Sequence, residues 1–125
     1  MKTLNQSIKE AERLLPGIPA PEGELDPRWQ AIIRIEAYID TDPDKVWFFI
    51  RKWGVHPNED LRTAIATCLL EHLLENHFDK FFPKVRKACQ ESKRFAFTFE
   101  MCHKFGQATQ GKNLDAFNEL QTKLR

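Results

Sequence analysis

Apolar residues recur every three or four positions along most of this chain, in stretches separated by proline, glycine and short polar residues that favour turns. This spacing places the apolar residues of each stretch on one face of an α-helix. Residues 95–99 alternate briefly, as a strand does, but the flanking caps and the length of the stretch favour a helix. The pattern predicts an all-α chain with helices over residues 3–15, 27–40, 43–53, 58–76, 79–91, 93–105 and 113–124.

Capping residues mark where most of these helices are expected to begin. Asp26-Pro27 and Asp42-Pro43 each place a carboxylate at the N-cap and a proline at the first helical position, where no backbone N–H is needed. The side chains expected to cap the later helices are Asn58, Ser92 and Asn113.

Glycine and proline mark the expected ends and interruptions. Gly54 and Gly106 are predicted to end the helices that precede them. Pro16, Pro19 and the other prolines and glycines up to about residue 25 exclude regular structure there. Pro83 predicts either a kink in the fifth helix or a start delayed to that residue.

The widths of the apolar faces indicate where each helix lies. The 58–76 helix has the widest apolar arc, which predicts a central position. The last helix carries a stripe that is expected to cover the open end of the structure, formed by Leu114, Phe117, Leu120 and Leu124. Phe48 does not fit the apolar face of its helix, so it either covers a neighbouring helix or is exposed for a partner.

The chain repeats itself at an offset of 35 residues. Residues 44–53 (DKVWFFIRKW) align with residues 79–88 (DKFFPKVRKA), and the Asp, Lys, Arg and Lys are identical. The apolar positions 46, 47, 50 and 53 match apolar positions 81, 82, 85 and 88. A second series joins Asp26-x-Arg28 to Asp60-x-Arg62, and then to Ser92-x-Arg94, in which the aspartate is missing. A fixed period in this range predicts helix pairs that stack and bury their apolar faces against one another.

Residues 56–66 (HPNEDLRTAIA) resemble the second helix of a HEAT repeat, with proline and aspartate in the turn, then arginine, then small residues. The resemblance covers about residues 26–106. It implies an all-α fold, a HEAT-like (armadillo-type) α–α superhelix of about three helix pairs plus a terminal capping helix, in a single domain over residues 1–125.

The same resemblance implies a structural role for the repeated arginines, Arg28, Arg62 and Arg94, which would bond turn carbonyls or the aspartate of a neighbouring repeat. In that case loss of the Arg62 side chain destabilises the fold and leaves binding intact. The alternative is a row of arginines that binds phosphate.

Charge and cysteine content narrow the classes of function. The formal net charge is +1, but residues 1–77 carry 9 Lys+Arg against 13 Asp+Glu, whereas residues 78–125 carry 10 against 5. The asymmetry is typical of a helical stack with differently charged ends, although a basic end that contacts nucleic acid is the alternative. The three cysteines lack a CxxC spacing, and no stretch has the pattern of a signal peptide or of a membrane-spanning helix. These features predict a cytoplasmic protein that does not associate with a membrane.

One cluster of residues could carry chemistry. Glu71 and Glu75 share a helix face beside His72, and alignment of the helices brings His103 near Glu71. Such a group could bind a metal or transfer protons, but no HExxH spacing or catalytic Cys/His pair is present, and a solvated acidic face is favoured. The sequence predicts no catalytic residues, metal site or cofactor, and it favours a protein that is not an enzyme.

A binding module that contacts a protein partner is therefore the function we expect. In HEAT-like stacks the second helices line the concave face, which predicts a binding surface of Arg34, Tyr38, Glu71, Glu75, Glu100, His103 and Lys104. Glu71 and Glu75 are expected to be exposed and to meet basic residues of the partner. The alternative is a nucleic-acid-binding or DNA-repair protein, since HEAT-like alkylpurine DNA glycosylases use Trp, Asp and Arg side chains. The oligomeric state is left open.

Overall fold

The computed structural model describes residues 2–15, 17, 20–21 and 23–124, and this part of the chain is helical without any strand. The all-α prediction is confirmed. Pro16 and Pro19 of the predicted irregular loop lie outside the described residues. The helices are α1 (Leu4–Leu14), α2 (Pro27–Glu36), α3 (Pro43–Trp53), α4 (Glu59–Ala64), α5 (Glu71–Asn76), α6 (Phe78–Glu91), α7 (Lys93–Glu100) and α8 (Gly111–Leu124). A π-helical segment, Ile65–Leu70, joins α4 to α5, and a 3₁₀ turn, Gly106–Thr109, precedes α8.

Three of the predicted N-caps form the expected bonds. Asp26 accepts a hydrogen bond from the backbone N–H of Arg28 at 2.8 Å, and Asn58 and Ser92 accept theirs from residues 61 and 95. Asp42 makes no side-chain cap bond, so the start of α3 depends on Pro43, whose fixed φ suits the first helical position. These helices begin where the sequence predicts because each cap involves residues only two or three positions apart.

Gly54 ends α3 as predicted, whereas the predicted end of the sixth helix is corrected. Gly54 ends α3 with an ordinary helical φ of −68°; a side chain there would come within 3.0 Å of the Phe95 ring, so glycine is required for close packing. The sixth predicted helix ends at Glu100 rather than near residue 105, because the chain turns back towards α5. Helix α6 begins at Phe78 and continues through Pro83, which excludes a delayed start.

The α4, π-helical and α5 segments form one rod over residues 59–76, and it is central as predicted. The rod contacts α2, α3, α6 and α7. Its π-helical segment adjoins threonines whose hydroxyls donate to carbonyls four residues earlier, Thr63 to Glu59 and Thr67 to Thr63. Side-chain bonds of this kind compete with the helical backbone pattern and commonly bend helices.

The remaining helices pack around this rod, four of them as two pairs. Helix α1 packs on α2, α3 on the π-helical segment, and α6 on α7. Helix α8 closes the open side of α7, where the Phe117 and Phe99 rings lie 4.8 Å apart and both are fully buried. No helix in the described part of the chain is long and apolar enough to cross a bilayer.

Candidate functional site

The structure places the residues of the predicted binding surface in four different surroundings. Arg34 and Tyr38 face the N-terminal segment: an Arg34 guanidinium nitrogen lies 3.4 Å from a carboxylate oxygen of Glu10, and the Tyr38 hydroxyl donates to the carbonyl of Lys2. Helix α1 therefore occupies much of the surface that α2 was expected to offer to a partner.

Glu71, Glu75 and His103 do come together, but Glu71 is not exposed. Only 6% of Glu71 is accessible, and its Oε2 accepts the backbone N–H of His103 at 2.7 Å. Glu75 is partly exposed and lies 2.9 Å from Nδ1 of His72, whose ring stacks on Phe105. The expectation that both glutamates are exposed is wrong for Glu71, because its carboxylate holds the turn after α7 against α5.

The other two predicted residues lie elsewhere. Lys104 Nζ donates to the side-chain carbonyl of Asn118 on α8 at 2.6 Å. Glu100 lies in the last turn of α7 and lines a separate cleft beside α4. The seven residues predicted from helix faces therefore do not form one continuous surface.

The candidate metal ligands and the three cysteine thiols were the remaining groups that could carry chemistry. Among the described residues, no three His, Cys, Asp or Glu side chains are grouped closely enough to hold a metal ion. Burial raises the pKa of Cys68, raises the pKa of Cys89 to about 12, and raises the pKa of Cys102 well above its usual range. These thiols stay protonated near neutral pH and are poor nucleophiles.

The three repeated arginines have three different environments. Arg28 is buried, and its Nη2 lies 3.0 Å from both Asp26 Oδ2 and Asp60 Oδ2, which is the structural role that the resemblance implies. Arg94 is exposed. Arg62 is only 8% accessible, yet its Nε has no hydrogen-bond partner in the described part of the chain. Nε of Arg62 therefore makes no bond of the kind expected within the described part of the chain, and the structural role of this arginine stays a prediction.

The repeat itself explains why Arg28 is paired and Arg62 is not. Arg28 bonds Asp60, the aspartate of the following copy. The residue that would serve Arg62 in the same way is Ser92, which instead caps α7 by accepting the N–H of Phe95 at 3.2 Å. The third copy lacks the aspartate, so the described part of the chain shows no counterpart for Arg62 of the ion pair between Arg28 and Asp60.

A cleft opens beside this unpaired arginine, between the start of α4 and the end of α7. It has a volume of about 370 Å³, and it is lined by Glu59, Arg62, Phe97, Glu100 and Met101; we refer to it as the Arg62 cleft. Its volume lies at the lower end of the roughly 300–1,000 Å³ that is usual for ligand pockets. Glu100, which also lines the cleft, has one carboxylate oxygen, Oε1, that is buried without a hydrogen-bond partner in the described part of the chain.

Neighbouring contacts position both walls of the Arg62 cleft. Asn58 caps α4 by accepting the N–H of Leu61, which sets the first turn of that helix. Thr98 donates to the carbonyl of Gly54 at 2.6 Å, and Thr63 Oγ1 lies 3.1 Å from Met101 Sδ. These contacts tie α7 to the end of α3 and to α4, so the cleft is built on packed helices rather than on loops.

The arginines also act on His56, which lies just before α4. Burial lowers its pKa, and the positive charges of Arg94, Arg28 and Arg62 lower it further. The neutral imidazole accepts the N–H of Asn58 at Nδ1, 3.0 Å away. Burial and the nearby arginines therefore keep His56 uncharged, which suits its role as the acceptor of the Asn58 N–H.

Of the residues lining the Arg62 cleft, only Glu100 belongs to the surface predicted from the sequence. The missed residues are Glu59, Arg62, Phe97 and Met101. One signal could have found the site, namely the missing aspartate at position 92 in a series that otherwise pairs arginine with aspartate. No family of proteins, curated protein or solved structure matches this chain.

Proposed function

We propose that this chain is a small HEAT-like helical-repeat binding module that holds a protein partner in the Arg62 cleft. Contacts between adjacent copies support the repeat: Arg28 bonds Asp60, and Lys80 Nζ lies 3.0 Å from Asp44 Oδ2. In each case a residue of one copy bonds a residue of the next, as in stacked repeats whose units contact only their neighbours.

The observation that carries the binding role is a pair of unsatisfied polar atoms that belong to two residues lining one cleft. Arg62 Nε and Glu100 Oε1 are both buried without partners in the described part of the chain. A buried polar atom without a partner costs about 1–3 kcal/mol, and more when it is charged. A molecule recovers that free energy on binding if it draws the two side chains into the cleft and supplies an acceptor to Arg62 and a donor to Glu100.

The lining of the cleft favours a protein over a nucleic acid. Two carboxylates and the Phe97 and Met101 side chains surround a single guanidinium. A phosphate backbone needs several unpaired cations on one face, and here Arg28 is already neutralised by aspartates. A polypeptide offers donors, acceptors and apolar groups together, as this lining requires.

Site-specific photo-crosslinking in the source cells tests this proposal. Benzoylphenylalanine replaces Phe97, at the cleft, or Phe48, which is 74% exposed on α3 and serves as the matched control. We expect one protein to be crosslinked from position 97 and not from position 48. The purified partner should then bind the native chain at least tenfold more tightly than Arg62→Met, a difference of about 1.4 kcal/mol.

Crosslinking of that partner only from position 48, or equal affinity for a folded Arg62→Met variant, would show that the cleft is not the binding site. Duplex or single-stranded DNA that binds the native chain at low salt and is released as salt rises would favour the nucleic-acid alternative instead.

A further inference from the structure

We infer that the Arg62 cleft receives a lysine or arginine side chain of the partner polypeptide, whose main-chain carbonyl meets Arg62. The inference rests on the proposed function, since it names the group that a protein partner inserts. It follows from the charge, the apolar surface and the unsatisfied atoms of the cleft, taken in turn below.

The charge of the lining selects a cation. Glu59 and Glu100 contribute two carboxylates and Arg62 contributes one guanidinium, which leaves a net charge of −1 when all three are ionised. Glu100 Oε1 is buried and lacks a donor, and a charged donor forms the stronger hydrogen bond to a carboxylate. Glu59, exposed at the first turn of α4, adds a second negative charge at the opening of the cleft.

The apolar part of the lining suits a long basic side chain. Phe97 is 48% exposed, and Met101 is half-buried next to it. Lysine and arginine carry a stem of methylene groups that packs on such a surface while the charged end reaches a carboxylate. The face of an aromatic ring such as that of Phe97 also attracts a cation directly.

Arg62 supplies the second point of contact. Its buried Nε–H needs an acceptor, and a carboxylate or phosphate in that place would lie close to Glu59 and Glu100. A neutral main-chain carbonyl accepts the bond without adding negative charge to the cleft. The cleft therefore favours a basic residue within a polypeptide over an acidic residue or a free anion.

Nuclear magnetic resonance of the ¹⁵N-labelled full chain tests the inference with four small probes. These are the Nα-acetyl amides of lysine, arginine, norleucine and glutamate. Norleucine has an unbranched apolar side chain without a charge, so it distinguishes the contribution of the positive charge to binding from that of the methylene groups. We expect the lysine or arginine probe to shift the amide signals of residues 59–63 and 97–101, with saturation at millimolar concentrations.

The charge requirement is measured by comparing the probes and one variant. The norleucine probe should bind at least tenfold more weakly than the better basic probe, and the glutamate probe should not shift these signals. Glu100→Gln should weaken the basic probe at least fivefold without loss of folding, because the oxygen it alters makes no bond within the described chain. Phe48→Ala, on an exposed residue outside the cleft, should leave the affinity unchanged.

Three results would each overturn the inference: norleucine binding as tightly as the basic probes, glutamate as the preferred probe, or no saturable shift of residues 59–63 and 97–101. The last includes closure of Arg62 onto Glu100 in solution, which would leave no room for a side chain. If a partner crosslinks at position 97 but binds Glu100→Gln with normal affinity, the proposed function is supported and this inference is overturned. If the basic probe binds but no partner is crosslinked, the preference of the cleft for a basic side chain is supported and the proposed function is overturned.

Discussion

Arg28 and Asp60 form an ion pair between two helix starts that lie 32 residues apart in the chain. The Arg28 Nη2 and Asp60 Oδ2 atoms are 3.0 Å apart, and the same oxygen accepts the indole N–H of Trp29 at 3.1 Å. Arg28 also bonds its own cap residue, Asp26. Burial alone would raise the pKa of Asp26, but the hydrogen bonds from Arg28 and from the Ala20 N–H, together with the Arg28 charge, hold that pKa below its usual value.

Replacement of Arg28 should therefore be costly. We expect Arg28→Met to lower the free energy of unfolding by about 2 kcal/mol, because two aspartates lose a charged donor while Asp60 remains partly solvated. Urea unfolding followed by circular dichroism measures the change. Arg94→Met, at the exposed equivalent position, is the matched control and should cost less than about 0.5 kcal/mol. Similar losses for the two variants would contradict the structural role of Arg28.

Charge reversal should lower the stability of the fold much more at Glu71 than at Glu75. Glu71→Lys places an ammonium group in a buried position and removes the acceptor of the His103 N–H, so we expect a loss of at least about 3 kcal/mol. Glu75→Lys breaks one partly exposed contact with His72 and should cost about 1 kcal/mol or less. Thermal unfolding of both variants tests this difference. Equal stability would mean that the turn after α7 does not rest on Glu71.

Phe117 should be essential for the capping role of α8. Its ring is fully buried against Phe99, so Phe117→Ala should lower the free energy of unfolding by about 3–5 kcal/mol. Phe48→Ala removes an equally large side chain from an exposed position and should change stability by less than about 0.5 kcal/mol. Chemical unfolding of the pair separates the two environments, and a stable Phe117→Ala variant would show that α8 does not cap the core.

His56 should make the fold less stable as the pH falls through about 6.5, its usual pKa. Its pKa is lowered in the folded chain, so the unfolded chain binds the proton more readily, and stability is lost between the usual and the lowered value. His56→Asn keeps an acceptor for the Asn58 N–H and does not titrate in this range. We expect the melting temperature to fall less between pH 7.5 and pH 5.5 in this variant than in the native chain, on the order of a few degrees; equal pH dependence would exclude the role of His56.

Local interactions explain how much of the fold could be predicted from the sequence. Asp26, Asn58 and Ser92 cap helices through bonds to residues two or three positions away, so the pattern of residues is enough to place those helix starts. The apolar stripes likewise predict which residues are buried, and Ile32, Ile35, Ile65 and Phe117 are fully buried as expected. The early end of α7 was not predictable in this way, because a distant carboxylate, that of Glu71, holds the following turn.

The sequence by itself determined the helices, their buried faces and the series of arginines, since each depends on residue type and on spacings within a few turns. Only the tertiary structure decided that Glu71 is buried, that α1 packs on α2 beside Arg34 and Tyr38, and that Arg62 and Glu100 line one cleft. Whether a polar side chain is buried, paired or exposed depends on which distant group of the chain packs against it. Arg28 and Arg62 occupy equivalent positions in the repeat, and they differ because Asp60 reaches one while Ser92 stands where the other would need an aspartate.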